Sequence, residues 1–246
     1  MAPILAARVG VRQNTTTAVA FLPTSLSGLA VWLDAGQITG ATDNTAVATW
    51  QDRSGNSRDV AQVTASKQPI YHSTGLTTPS GRPFVQFDGV DDFVLSATGN
   101  VPIHTGFMVM ATSNTNNTIG FLTNYVDQTV DADIAFATIL NSATIWDATT
   151  TPGGNGCYGS NIYRDGVLSG TLVNDGSWHV TSGFAAGTFT GTPQFPTGMV
   201  LGGDRPGSLS RYVAYRCAEI ITYNRVLSTA ERQQVEGWLK AKHGTP

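Results

Sequence analysis

From Leu29 onward, apolar-rich positions come in short runs cut off by turn-forming residues. Leu29-Ala30-Val31-Trp32-Leu33 stops at Asp34-Ala35-Gly36. Ala46-Val47-Ala48-Thr49-Trp50 stops at Asp52-Arg53-Ser54-Gly55-Asn56, whose small polar side chains can bond their own backbone. Phe84-Val85-Gln86-Phe87 alternates and meets Asp88-Gly89, then Asp91 and Asp92 ahead of Phe93-Val94-Leu95. Runs at 106–111, 119–123, 134–140, 143–146, 161–164, 167–173, 177–184, 199–202 and 212–223 continue the pattern. Asp165-Gly166 predicts a hairpin, because a type I′ turn wants positive φ at both central residues. Many short strands spaced by turns, with no helices between them, predict an all-β antiparallel sandwich or jelly roll.

The pattern changes once, near the C-terminus. Ser228-Thr229-Ala230-Glu231 matches a capping box, with Ser228 as N-cap and Glu231 reaching back to its N–H. Val235, Trp238 and Leu239 form an apolar stripe at helical spacing, which predicts a helix lying on the sandwich. Lys240, Lys242 and His243 suit the negative end of the helix dipole, and Gly244 can end the helix. Gly237 inside it costs about 1 kcal/mol relative to Ala, which suggests close approach of helix to sheet.

Composition narrows the partners. Of 246 residues, 41% are hydrophobic and 13% charged, with 27 Gly, 11 Pro and a formal charge of −3. An average domain is about 25% charged, so this surface is sparse in charge. There is no basic excess for a phosphate backbone, hence no nucleic acid, and no apolar run of roughly 20 residues to insert in a membrane. The 10 Phe, 7 Tyr and 5 Trp suffice for a core. Cys157 and Cys217 form no disulfide framework or metal signature, and whether they bridge stays open. Residues 1–25, with Asn14-Thr15-Thr16-Thr17 in the middle, read as an extended arm that packs on a partner or straps its own domain. The arm's apolar run stops at Arg8 and lacks a basic start, unlike a secretory signal.

Four segments in order, LAVWLDA (29–35), WQDRSGN (50–56), PFVQFDGVDDFV (83–94) and AEIITYNRVLSTAERQQVEGWL (218–239), carry a resemblance. With YRDGV (163–167) and DGSWHV (175–180), the chain resembles the laminin-G-like, concanavalin A-like lectin and glucanase domains of bacterial surface proteins and phage structural proteins. That resemblance implies a concanavalin A-like sandwich over residues 26–246 with one C-terminal helix. In it, Trp50 anchors the core, Asp52, Ser54 and Asn56 organise a turn, and Phe87 and Phe93 face the core. Asp88, Asp91 and Asp92 would hold the connection by bonding backbone N–H groups.

The family includes glycosidases, whose chemistry needs two carboxylates flanking the scissile bond. Glu219, Glu231 and Glu236 are the only glutamates, and none begins a Glu-x-Asp-x-x-Glu pattern. The nearest acidic cluster is Asp127, Asp131 and Asp133. His72, His104, His179 and His243 are scattered, with no Gly-x-Ser-x-Gly elbow. The expectation is therefore a chain that is not an enzyme, with no catalytic residues and no required cofactor. Lectin-like members of the fold often use calcium, and Asn124, Asp127, Asp147 and Asp204 could supply oxygen ligands. Sugar binding needs an aromatic platform beside fixed polar groups. Trp32, Trp50, Trp178 and Trp238 fall in structural motifs, which leaves Tyr125, Trp146 and Tyr158 as the candidate ligand contacts. The expected function is an accessory protein of a phage virion, held to other virion proteins by residues 1–25 and able to bind cell-surface polysaccharide. A secreted, extracellular bacterial adhesion module is the alternative, and homo-oligomerisation is open.

Overall fold

The computed structural model describes residues 21–96, 101–113, 120–124, 134–140, 144–148, 162–169, 174–184, 194–195, 198–204 and 211–246. Two antiparallel sheets account for most of them. The larger runs Val167–Leu168, Ile162–Arg164, His179–Phe184, Thr105–Ala111, Ala214–Tyr223, Phe84–Asp88, Ile70–His72 and Thr45–Ala46 in spatial order. Its ninth strand, Leu29–Asp34, also pairs with Ala214–Tyr223. The smaller runs Thr144–Ala148, Ile134–Leu140, Gly120–Asn124, Met199–Leu201, Val94–Leu95, Val60–Ala61 and Thr49–Trp50. The β-sandwich expected from many short strands spaced by turns is the fold observed, with one α-helix among the described residues, at the C-terminus.

Inward side chains of both sheets meet in one core. Val31, Leu33, Val85, Phe87, Met108, Met110 and Ile220 from the larger sheet join Trp50, Val60, Val94, Met199 and Leu201 from the smaller. The larger sheet is covered on its other face too. There Phe84, Phe107, Val109, Val180, Ala218 and Ile221 pack with Val235 and Leu239 of the helix. Double coverage explains why all seven residues of Thr105–Ala111 are buried although the strand lacks a polar face. Full burial of Val235 and Leu239 stabilises the docked helix by about 1.5–3 kcal/mol each.

The helix spans Thr229–His243 with the predicted capping box in place, and Gly244 ends it in the left-handed region at φ 70°. Gly237 is corrected: it is exposed, and a Cβ built on it would meet nothing within 4 Å. Close approach occurs instead at Gly244, where a Cβ would lie 2.9 Å from the Ser80 backbone nitrogen. Asp165 and Gly166 adopt φ 53° and 86°, forming the predicted hairpin turn. The expected strand over 46–50 is divided. Thr45–Ala46 belongs to the larger sheet and Thr49–Trp50 to the smaller, so the chain changes sheets between them. Phe93 is also corrected, since it is half-buried and stacks on Tyr212 at 6.2 Å rather than entering the core.

The strand Ala214–Tyr223 serves two neighbours along one edge. Phe84–Asp88 pairs with residues 214–217, and Leu29–Asp34 pairs with 219–223. Between them the register against Thr105–Ala111 slips at Cys217/Glu219. A bulge puts an extra residue on one strand and re-aims its side chain. Here Cys217 faces the core between the sheets, while Glu219, opposite Asp34, is turned toward the helix. Cys217 is a free, fully buried thiol.

Candidate functional site

A cleft of about 820 Å³ opens where the end of the helix meets the Leu29–Asp34 strand. Trp32, Asp34, Arg53, Arg82, Trp238 and Lys242 form its chemically active lining. Three stretches of chain build it, and each is held for a local reason.

The first is the strand itself. Trp32 has both backbone groups fixed by the turn after Trp50: its N–H donates to Asp52 Oδ1 (2.9 Å), and its carbonyl accepts from the Arg53 N–H (2.7 Å). Asp52 also accepts from the Ser54 N–H and hydroxyl and from the Arg58 N–H. Ser54, Asn56 and Arg58 add side-chain bonds to the Ala30 carbonyl. The turn thus acts as a clamp on Leu29–Asp34 and holds Arg53 beside Trp32. Its predicted organisers, Asp52, Ser54 and Asn56, do that job.

The second stretch is the loop 78–82. Thr78 and Arg82 close it on themselves, the Thr78 N–H donating to the Arg82 carbonyl and the Arg82 N–H to Thr78 Oγ1. Ser80 ties it to the helix end, its hydroxyl donating to the Lys242 carbonyl (2.6 Å) and its N–H to the His243 carbonyl (3.2 Å). Two carbonyls of the last turn are thereby satisfied, and Arg82 is carried to the cleft rim.

The third stretch is the last helical turn, where Trp238 and Lys242 share a face at i, i+4. The Trp238 ring lies edge-on to Trp32 (6.2 Å between centroids) and Phe21 (6.1 Å), with Lys242 Nζ 4.7 Å from its centroid. Both indoles are half-buried, so each keeps surface toward solvent.

Beneath the indoles is a buried charge network. Glu219, with no exposed surface, accepts from Trp32 Nε1 (2.6 Å) and Lys242 Nζ (2.7 Å), and lies 2.6 Å from His243 Nε2. Lys242 Nζ also donates to Asp34 Oδ2 (2.7 Å), while Asp34 Oδ1 accepts from the Gly36 N–H (2.9 Å) and caps the short turn Ala35–Gln37. Carboxylates this deep are tolerated only when paired and hydrogen-bonded, and here both are. Glu219 acts on the cleft through Trp32 and Lys242, which it holds in place.

The side chains expected to contact a ligand fall outside what the structure describes. Tyr125 and Tyr158 lie outside the described residues. Trp146 is on Thr144–Ala148, an outer strand of the smaller sheet, opposite Phe136, and its side chain is likewise outside the description. Trp32 and Trp238 fall in motifs expected to be structural, yet they line the cleft. Two signals pointed there: Trp32 and Asp34 share a strand face, and Trp238 and Lys242 share a helix face.

Of the residues named for calcium and the acidic cluster, Asp127, Asp131 and Asp133 lie outside the described residues, as do the side chains of Asn124, Asp147 and Asp204. Among the described residues, carboxylates converge at Asp88, Asp91 and Asp92, within 4.8 Å. Backbone amides occupy two of them, Asp88 and Asp92. Asp88 Oδ1 accepts from Val90, Asp91 and Asp92, and Asp92 Oδ2 accepts from Asp88. Burial pushes the Asp92 carboxyl up to about 6, and the Asp88 and Asp91 charges add to the rise. This is the turn-holding role expected of Asp88 and Asp92.

No protein-family model matches the chain, and no curated protein matches it significantly. Solved structures do. A Trypanosoma rangeli sialidase in complex with sialic acid matches at 13% identity and a TM-score of 0.50, over 88% of this chain and 33% of that one. The same organism's sialidase in complex with a difluoro-KDN compound gives 13%, 0.49, 88% and 33%. The chain therefore corresponds to about a third of the length of the sialidases it matches. At this identity the likeness shows a shared fold. It also corrects one expectation: the chain is expected not to be an enzyme, whereas the solved structure that shares its fold is a sialidase. The concanavalin A-like assignment is finer than these matches carry. They bring no support to a place on a phage particle.

Proposed function

We propose that this chain is a carbohydrate-binding, lectin-like domain of the concanavalin A-like type, and that its sugar site is the Trp32–Trp238 cleft. The observation that carries the reading is the pairing of two half-buried indoles with polar groups fixed by three separate stretches of chain. The apolar C–H face of a pyranose stacks on an indole, while its hydroxyls need donors and acceptors held at set positions. Pre-formed pockets of a few hundred Å³ with a few convergent polar groups are the usual form of small-ligand sites. The fold match adds weight, because a sialidase that shares this fold is seen with a bound sugar.

The test is a glycan array followed by calorimetry on the best ligands, using the whole chain. Trp238→Ala is expected to abolish retention, while Val167→Thr, at an exposed position outside the cleft lining, leaves it unchanged. Thermal melts confirm that both variants fold. Release of reducing ends from the same glycans, followed in parallel, separates binding alone from binding with hydrolysis. Undiminished binding by folded Trp238→Ala would place the sugar elsewhere.

A further inference from the structure

Several arginines of the described residues are already committed to partners. Arg58, Arg216, Arg225 and Arg232 each spend the guanidinium on a partner: the Ala30 carbonyl, the Gly176 carbonyl, Glu231 and Glu236. Arg53 and Arg82 do not. Both are exposed, both line the cleft, and neither side chain has a partner among the described residues. Their backbones, in contrast, are firmly held. The Arg53 N–H is bonded to the Trp32 carbonyl, and the Arg82 N–H to Thr78 Oγ1.

The charges around the cleft favour an anion between them. Arg53, Arg82 and Lys242 face two carboxylates, Asp34 and Glu219, which Lys242 already bridges. Three cations against two carboxylates leave the cleft one positive charge in excess, in a chain whose formal charge is −3. A planar guanidinium fork suits a carboxylate or sulfate, and such charge-assisted bonds are about twice as strong as neutral ones.

We infer that the saccharide bound in this cleft is acidic, and that Arg53 and Arg82 select it over neutral sugars by pairing with its carboxylate or sulfate. This inference rests on the carbohydrate reading above and goes further by naming the class of sugar. The indoles supply binding common to many sugars, and the two arginines supply the selection.

The experiment uses the full chain against matched glycans that are neutral, carboxylated (sialylated or uronate-bearing) or sulfated. Acidic members are expected to bind at least about ten-fold more tightly than neutral counterparts, which a charged hydrogen bond can provide. The preference is expected to vanish on raising salt from about 0.05 to about 0.5 M, because exposed charges are screened. Arg53→Gln and Arg82→Gln each reduce acidic-glycan affinity about ten-fold without changing neutral-glycan affinity, and the carboxylated and sulfated arms tell which anion is read. Equal or tighter binding of neutral glycans, or a preference surviving in the double variant, would overturn the acidic inference and leave the carbohydrate reading standing. If no glycan of any charge is retained, or Trp238→Ala leaves retention intact, the carbohydrate site itself fails.

Discussion

Lys242→Met tests how the cleft is built. Methionine keeps most of the stem over Trp238 and removes the ammonium that joins Asp34 and Glu219, each 2.7 Å from Nζ. Asp34 is 5% exposed and Glu219 0%, so neither can turn to water. Two carboxylates roughly 5 Å apart repel by about 3 kcal/mol at an effective dielectric of ~20. Breaking a buried ion pair from one side costs about 3–5 kcal/mol in measured cases, consistent with that figure. His243 still faces Glu219, and Asp34 keeps its bond from Gly36, so the lower half of the range applies. The expected loss is about 3 kcal/mol, read from urea unfolding at neutral pH. Adding Asp34→Asn should return part of it, because one of the facing charges is gone. A loss below about 1 kcal/mol, or no recovery in the double variant, would show that the network does not hold the helix end to the sheet.

Three further outcomes follow from the packing. Asp92 has its folded value raised to about 6, so its contribution to stability is present below the unfolded value near 4 and is lost as pH rises through 6. Asp92→Asn, whose amide carbonyl can still accept from the Asp88 N–H, is expected to gain about 1–3 kcal/mol at pH 7 and little at pH 4, checked by thermal melts at both. Gly202→Ala is expected to cost about 3 kcal/mol or more in chemical unfolding, because φ is +98° and the new Cβ would lie 2.5 Å from the Asp92 carbonyl oxygen and 2.6 Å from the Phe87 ring. Cys217, fully buried with its thiol pushed up by burial, is expected to resist thiol reagents in the native protein and react as fast as unfolding exposes it, followed by mass-spectrometric mapping of the labelled peptide.

The sequence exposed what is local and left obscure what depends on assembly. The Ser228–Glu231 capping box and the Asp165-Gly166 turn are contained within four residues, and both form as read. Strands such as Thr105–Ala111 are long enough to declare a run, whereas Val60–Ala61 and Ile70–His72 are too short to show a period. Gly237 faces solvent, which its place in the sequence does not reveal, because helical spacing alone does not say how far a helix sits from its sheet. The cleft was missed for a related reason. Trp32 and Trp238 belong to motifs whose other members are core, and nothing in either motif says that the helix stops short of covering the sheet there. Arg82 lies in a loop whose position depends on Ser80 reaching the helix end, 162 residues away.

That distance has a bearing on when the site comes into existence. The Trp32 to Glu219 bond spans 187 residues and the Asp34 to Lys242 bond 208. Synthesis runs from the N-terminus at about 5–20 residues per second, so Trp32 waits at least ~10 s for the residues that lock it. Contacts this far apart in sequence close late and slowly. During that interval Trp32 and the strand's unpaired edge are open to other chains, and newly made protein is at its most aggregation-prone. The cleft is thus a late product of biosynthesis as well as a feature of the finished molecule: it is complete only once Lys242 has come back to Asp34.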